Sequence, residues 1–397
     1  MEERFMKKFI ALLLCVLMCF ALLSGCAGKE SDTIKVGIVG CHTGDYAIYG
    51  LAVRNGAELY INQLNEAGGI NGKKVELVIY DNKADNAEAV TAFTRMVDEG
   101  ITALIGDVLT GNTIAVRTEA YKVNMPMITA SATAAEVTYD AETSTFYSNV
   151  FRTCFIDPFQ GMKMAEYAAN ELGAKKAAIL YDTGNDYSIG LKDAFTAKCA
   201  EMGVEIVNEE GYSSGDVDFR SQLTNIQANE PDVIFAPIYY QDAGLIVTQS
   251  RDLGIDATFL GGDGWAGVTG YASAEDLEGS LFCSAYASGS TDAVKAFETA
   301  YTAAYGSDTL NMFAATAYDA AMVLCNALTV VETNGSKLKP ASDEYKQAVI
   351  DAIRNNSGEI AGITSAGGYT FDEYNNPIKD AVIIEVAGGA ETFKTLY

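Results

Sequence analysis

Twice in succession, short apolar runs alternate with longer stretches of helical spacing, and this alternation leaves the chain few architectures. Residues 34–39 (IKVGIV) read as a buried strand, and 47–65 as a helix with Val53, Ala57, Ile61 and Leu64 on one face. Strands over 75–80, 103–105 and 127–128 and helices over 84–99 and 113–122 continue the series. Successive strands joined through helices need crossover connections, so the order predicts a parallel sheet with helices on both faces. The series restarts with strands over 177–180, 204–207, 233–236 and 258–260, separated by helices over 189–202, 219–228 and 243–253. After a strand over 281–283 the pattern turns helical (293–305, 313–331, 344–354), and it closes with an expected β pair, 369–371 with 381–386. Two similar α/β halves, no low-complexity linker and a late return to helix predict two lobes between which the chain passes more than once.

Composition removes several functions. With 53 acidic against 27 basic residues and no basic run longer than Lys73-Lys74, the chain lacks the cations that neutralise phosphates. Nucleic acid and anionic membrane surfaces are therefore not expected partners. One histidine, His42, limits general-base and metal-ligand chemistry. Gly211-Tyr212-Ser213-Ser214-Gly215 matches a nucleophile elbow, but no histidine follows it to complete a triad. Neither a dinucleotide fingerprint after the first strand nor a phosphate-binding Lys-Ser/Thr loop is present. No enzyme activity, cofactor or metal is expected.

The N-terminus reads as an address. Arg4, Lys7 and Lys8 precede an uncharged run over 9–23, and Leu23-Ser24-Gly25-Cys26 resembles the bacterial lipobox. The expectation is a lipoprotein signal peptide over 1–25, a lipid-modified Cys26 opening a tether over 26–33, and an exported body on the outer face of the cytoplasmic membrane. A plain secretory signal and a short anchor helix are the other readings. Beyond Cys26 remain Cys41, Cys154, Cys199, Cys283 and Cys325, an odd set without C-x-x-C, which predicts buried free thiols.

Polar and aromatic residues recur just past the strands: Thr110-Gly111-Asn112-Thr113, Ala130-Ser131-Ala132-Thr133, Asn185-Asp186-Tyr187, Tyr239-Tyr240 and Gly262-Asp263. In open α/β sheets these carboxyl ends are where ligands bind. Through IKVGIVGCHTGDYAIYG (34–50), NEAGGINGKKVELVIYDNKAD (65–85), ITALIGDVLTGNT (101–113), PMITASATAAEVT (126–138), ILYDTGNDYSIGL (179–191), TFLGGDGW (258–265) and GYTFDEYNNP (368–377), the sequence resembles the branched-chain amino acid-binding family of ABC importers.

The resemblance implies two Rossmann-like lobes, 34–151 with 284–364 and 152–283 with 365–397, joined by a three-segment hinge around a ligand cleft. It implies an amino acid ligand, a permease with cytoplasmic ATPases, and a monomer. In its terms the Thr110 hydroxyl and N–H meet the ligand carboxylate, with Gly111 following it in the ligand-binding set, Ser131 offers a carbonyl to the ammonium, Thr133 serves both ends, and Asp263 pairs with the ammonium. Tyr187 and Tyr239 cover the ligand from the second lobe, and Tyr49, Phe313 and Tyr46 stand near its side chain. Ala84 and Leu109 occupy positions where the family's best-known members form a disulfide, and Asp263 is one methylene shorter than the Glu often found there. The tyrosine-rich pocket leaves an aliphatic, aromatic or polar side chain open. A sensor that reports amino acid occupancy to a receptor, without transport, is the alternative function.

Overall fold

The computed structural model describes residues 33–333 and 338–397. The signal peptide, Cys26 and all but the last residue of the tether lie outside the described residues.

In the first lobe, β1 (Thr33–Gly40), α1 (Ala47–Glu66), β2 (Lys74–Asp81), α2 (Asn86–Asp98), β3 (Ala103–Ile105), α3 (Thr110–Lys122) and β4 (Met127–Thr129) alternate. A small hairpin, β5 (Tyr139–Asp140) and β6 (Thr145–Phe146), precedes β7 (Val150–Arg152). The five-stranded sheet has the order β2-β1-β3-β4-β7 and every pairing is parallel. Ile34, Val36 and Ile38 are fully buried, as expected for a strand covered on both faces.

The second lobe runs α4 (Asp157–Asn170), β8 (Lys176–Asp182), α5 (Asp186–Met202), β9 (Glu205–Tyr212), α6 (Arg220–Gln227), β10 (Val233–Phe235), α7 (Tyr240–Asp252), β11 (Thr258–Gly261), the short α8 (Ala274–Leu277) and β12 (Leu281–Ser284). The chain then returns to the first lobe with α9 (Asp292–Tyr305), α10 (Met312–Thr333) and α11 (Asp343–Asn356). By length and apolarity α10 could cross a membrane, but 72% of its most apolar window is buried, against α1, α11 and the strands β3 and β4. It is a core helix.

The C-terminal β pair is corrected. Residues 369–371 form no strand; Phe371 makes only an isolated bridge to Pro377. Instead β13 (Val382–Ala387) pairs antiparallel with β12 and with β14 (Ala390–Leu396), giving a seven-stranded sheet β14-β13-β12-β11-β10-β8-β9 that is mixed rather than parallel. The cause is the two-residue turn Gly388-Gly389, with φ of 58° and 80°, a left-handed pair that glycine adopts without strain and that closes a tight hairpin. All five cysteines of the described chain are free and buried.

Candidate functional site

Helix starts among the described residues are of two kinds, and five of them, α1, α3, α4, α6 and α7, have no side-chain cap. Asp85, Asn185, Thr291 and Ser342 each cap a helix with a side-chain oxygen. At α3 and α7 the capping positions hold Leu109 and Tyr239, and no side chain caps them. A cap contributes about 1 kcal/mol to a helix. Without one, the N–H groups of the first turn and the positive end of the helix dipole remain available to an anion.

Between the lobes lies a narrow cavity lined by Tyr49, Val108, Leu109, Thr110, Ser131, Tyr187, Tyr239, Asp263, Gly264 and Phe313. Both lobes contribute, and no lining residue is basic. Larger hollows of about 160 and 310 Å³ lie beside β12 and between α10 and α11, but neither is lined by a fully buried carboxylate lacking a partner.

The walls are aromatic. Tyr187 and Tyr239 stack with centroids 5.0 Å apart, and Tyr49 meets Phe313 edge-on at 4.8 Å. Tyr49 also ties the lobes together: its hydroxyl donates to the Gly264 carbonyl and accepts from the Tyr240 N–H at 3.3 Å, at the uncapped start of α7. Burial pushes the Tyr49 hydroxyl well above its ordinary pKa, so it stays a donor. The Asp45 carbonyl accepts from the Tyr240 hydroxyl and the Gln241 amide, closing the rim.

Asp263 is the charged element. It is 1% exposed, and its Oδ2 has no hydrogen-bond partner. Burial raises its pKa to about 7, against hydrogen bonds from Gln160, Tyr187 and the Gly264 N–H that favour the charge. Gln160, on the first turn of α4, grips it twice: its Oε1 accepts from the Asp263 N–H at 2.9 Å, and its Nε2 donates to Oδ1 at 3.1 Å. The Tyr187 hydroxyl accepts from the Gly264 N–H at 2.8 Å. That approach needs glycine, because a Cβ at Gly264 would lie 2.8 Å from the same oxygen.

Three of the residues singled out in the sequence stand outside the lining. Tyr46 packs edge-on to Tyr239 at 5.2 Å, and Gly111 sits beside Asn86. Thr133 is fully buried; its carbonyl accepts from the Asp157 N–H at 2.9 Å and its hydroxyl lies against that carboxyl. The Ser131 hydroxyl is engaged by the Val108 carbonyl at 2.7 Å. Sequence reasoning missed Asp157 and Gln160. Asp157-Pro158 announces a helix start, but nothing in the sequence links Gln160 to Asp263, 103 positions away.

Two α/β lobes with a closed cleft holding one buried acid and two uncapped helix starts define a protein that encloses a small ligand between its lobes. The chain belongs to the periplasmic binding protein family, whose model it matches over residues 33–390. It is 32% identical to the Leu/Ile/Val-binding protein BraC3 of Rhizobium johnstonii over 86% of this chain and 88% of that one. It is 30% identical to the leucine-, isoleucine-, valine-, threonine- and alanine-binding protein of Pseudomonas aeruginosa, over 86% and 87% of the two chains. Among solved structures, the branched-chain amino acid transporter substrate-binding protein LivJ of Streptococcus pneumoniae, in complex with isoleucine, superposes with a TM-score of 0.81 at 32% identity, covering 91% of this chain and 99% of that one.

Proposed function

We propose that the protein is the extracytoplasmic solute-binding component of an ABC importer, capturing a free amino acid with a branched aliphatic side chain and passing it to a membrane permease driven by cytoplasmic ATPases. The observation that carries this reading is the buried Asp263 carboxylate, which no cation among the described residues meets and whose Oδ2 has no hydrogen-bond partner, in the same cavity as the uncapped start of α3 at Thr110. An α-ammonium supplies the missing partner of the first, and an α-carboxylate suits the second. The Ser131 carbonyl adds a further acceptor, while Gly111 and Thr133 support the two loops. Tyr49, Phe313, Tyr187 and Tyr239, with Tyr46 behind them, form a mostly apolar wall for an aliphatic group.

The lobes, 34–151 with 284–364 and 152–283 with 365–397, close because the ligand touches both, which gives the closed state its differential stabilisation. Export by the signal peptide and a lipid on Cys26 hold a monomeric body at the outer face of the membrane, where capture precedes delivery. Titration calorimetry with L-leucine, L-isoleucine and L-valine tests the assignment. Saturable binding is expected, with Asp263→Ala weakening it by roughly tenfold to thousandfold, the cost of leaving a buried charge unpaired. Unchanged affinity in that variant would overturn it. Metabolic lipid labelling that is lost in Cys26→Ala tests the anchor.

A further inference from the structure

A second carboxylate stands behind the first. Asp157 and Gln160 occupy positions i and i+3 on the first turn of α4, and both are fully buried. The Gln160 Nε2 that donates to Asp263 Oδ1 at 3.1 Å also lies 3.5 Å from Asp157 Oδ1. One amide therefore spans two acids, and each acid keeps an Oδ2 without a partner. Arg152 directs its guanidinium to the carbonyls of Ala132 and Ala134 at 3.0 Å and to the Thr138 hydroxyl at 3.1 Å, not to either carboxylate.

Two buried carboxyl groups this close cannot both ionise in a low-dielectric setting. Their surroundings decide which one carries the charge. Asp263 receives the shorter Gln160 bond and the help of Tyr187 and the Gly264 N–H. Asp157 receives the longer contact and faces burial together with the Asp263 charge, both of which favour its neutral form; Arg152 and the Thr133 hydroxyl oppose them. Glu136 adds a further negative charge that favours the neutral form of Asp157, while Tyr49, Tyr187, Tyr239, Cys154 and Cys283 are held neutral by burial.

We propose that Gln160 and a protonated Asp157 are positioning residues that hold the Asp263 carboxylate in place and leave the site a single negative charge, matched to a ligand with one ammonium group. The inference rests on the amino acid reading of the same cavity and names the ligand's charge. With both acids ionised, the site would instead favour a ligand that brings a second cation. Asp157, Gln160 and Asp263 all belong to the second lobe, and Thr133 of the first lobe meets Asp157.

Two measurements test this. In the wild-type protein without ligand, the ¹³C carboxyl resonance of Asp157, assigned with Asp157→Asn, is expected to stay at its protonated position from about pH 5 to 7; titration with the ordinary carboxylates near pH 4 would overturn the proposal. In calorimetry with L-leucine, Asp157→Asn, which imitates the neutral acid, is expected to bind within about threefold of wild type with the same pH profile, whereas Gln160→Met loses roughly tenfold to hundredfold. A Gln160→Met protein with wild-type affinity, or an Asp157→Asn protein with a displaced pH profile, would overturn it. Wild type failing to bind L-leucine counts against the amino acid reading alone, because the carboxyl titration still reports the charge on Asp157.

Discussion

Replacing Asp263 by Asn should close the lobes on an empty cleft. The carboxyl group is 1% exposed in the closed form, where burial raises its pKa to about 7 from the ordinary 3.8. A raised value in the closed state means that closure without a cation costs nothing below the ordinary pKa. The cost grows as pH rises through the interval and is complete above about 7. At about 1.36 kcal/mol per pH unit, burying the unpaired charge costs about 4 kcal/mol at neutral pH, roughly a thousandfold against empty closure. A ligand ammonium removes that cost; an amide never incurs it. Small-angle scattering at neutral pH should show wild type contracting on addition of L-leucine, and Asp263→Asn already contracted and unresponsive. Wild type should likewise contract without ligand as the pH approaches 4. An Asp263→Asn protein as expanded as ligand-free wild type would refute the reasoning.

Tyr49→Phe removes a donor to Gly264 and an acceptor for the Tyr240 N–H. It should weaken L-leucine binding by about 1–3 kcal/mol, read by calorimetry, while the melting temperature of the ligand-free protein changes little. Gly264→Ala places a methyl 2.8 Å from the Tyr187 hydroxyl and 3.0 Å from the Ile238 carbonyl, so binding should be lost in calorimetry while circular dichroism retains the α/β signature. The five buried thiols should react with a thiol reagent only after denaturation; rapid labelling of the native protein would contradict their burial.

The alternation of strand and helix was legible because burial on both faces of a parallel strand leaves an uninterrupted apolar run, as in the strand over Ala103–Ile105. The starts of α3 and α7 were not. α3 begins at Thr110, three residues before the expected start, because Leu109 gives no capping signal, and the missing cap is what leaves the helix end free for a ligand. The final hairpin escaped because its signal is the pair Gly388-Gly389 rather than a hydrophobic pattern. Around the cavity, Thr110, Ser131, Tyr187, Tyr239 and Asp263 were accessible as polar or aromatic residues past strand ends. Gln160 and Asp157 were not, since they matter only through contacts with Asp263 that local sequence does not encode.

A crystal structure of the protein grown with L-isoleucine tests the central claim most directly. The ammonium nitrogen should lie about 3 Å from an Asp263 carboxylate oxygen, with the ligand carboxylate at the first turn of α3 beside Thr110. Isoleucine bound with its ammonium away from Asp263, or lodged outside the cavity between the lobes, would contradict it.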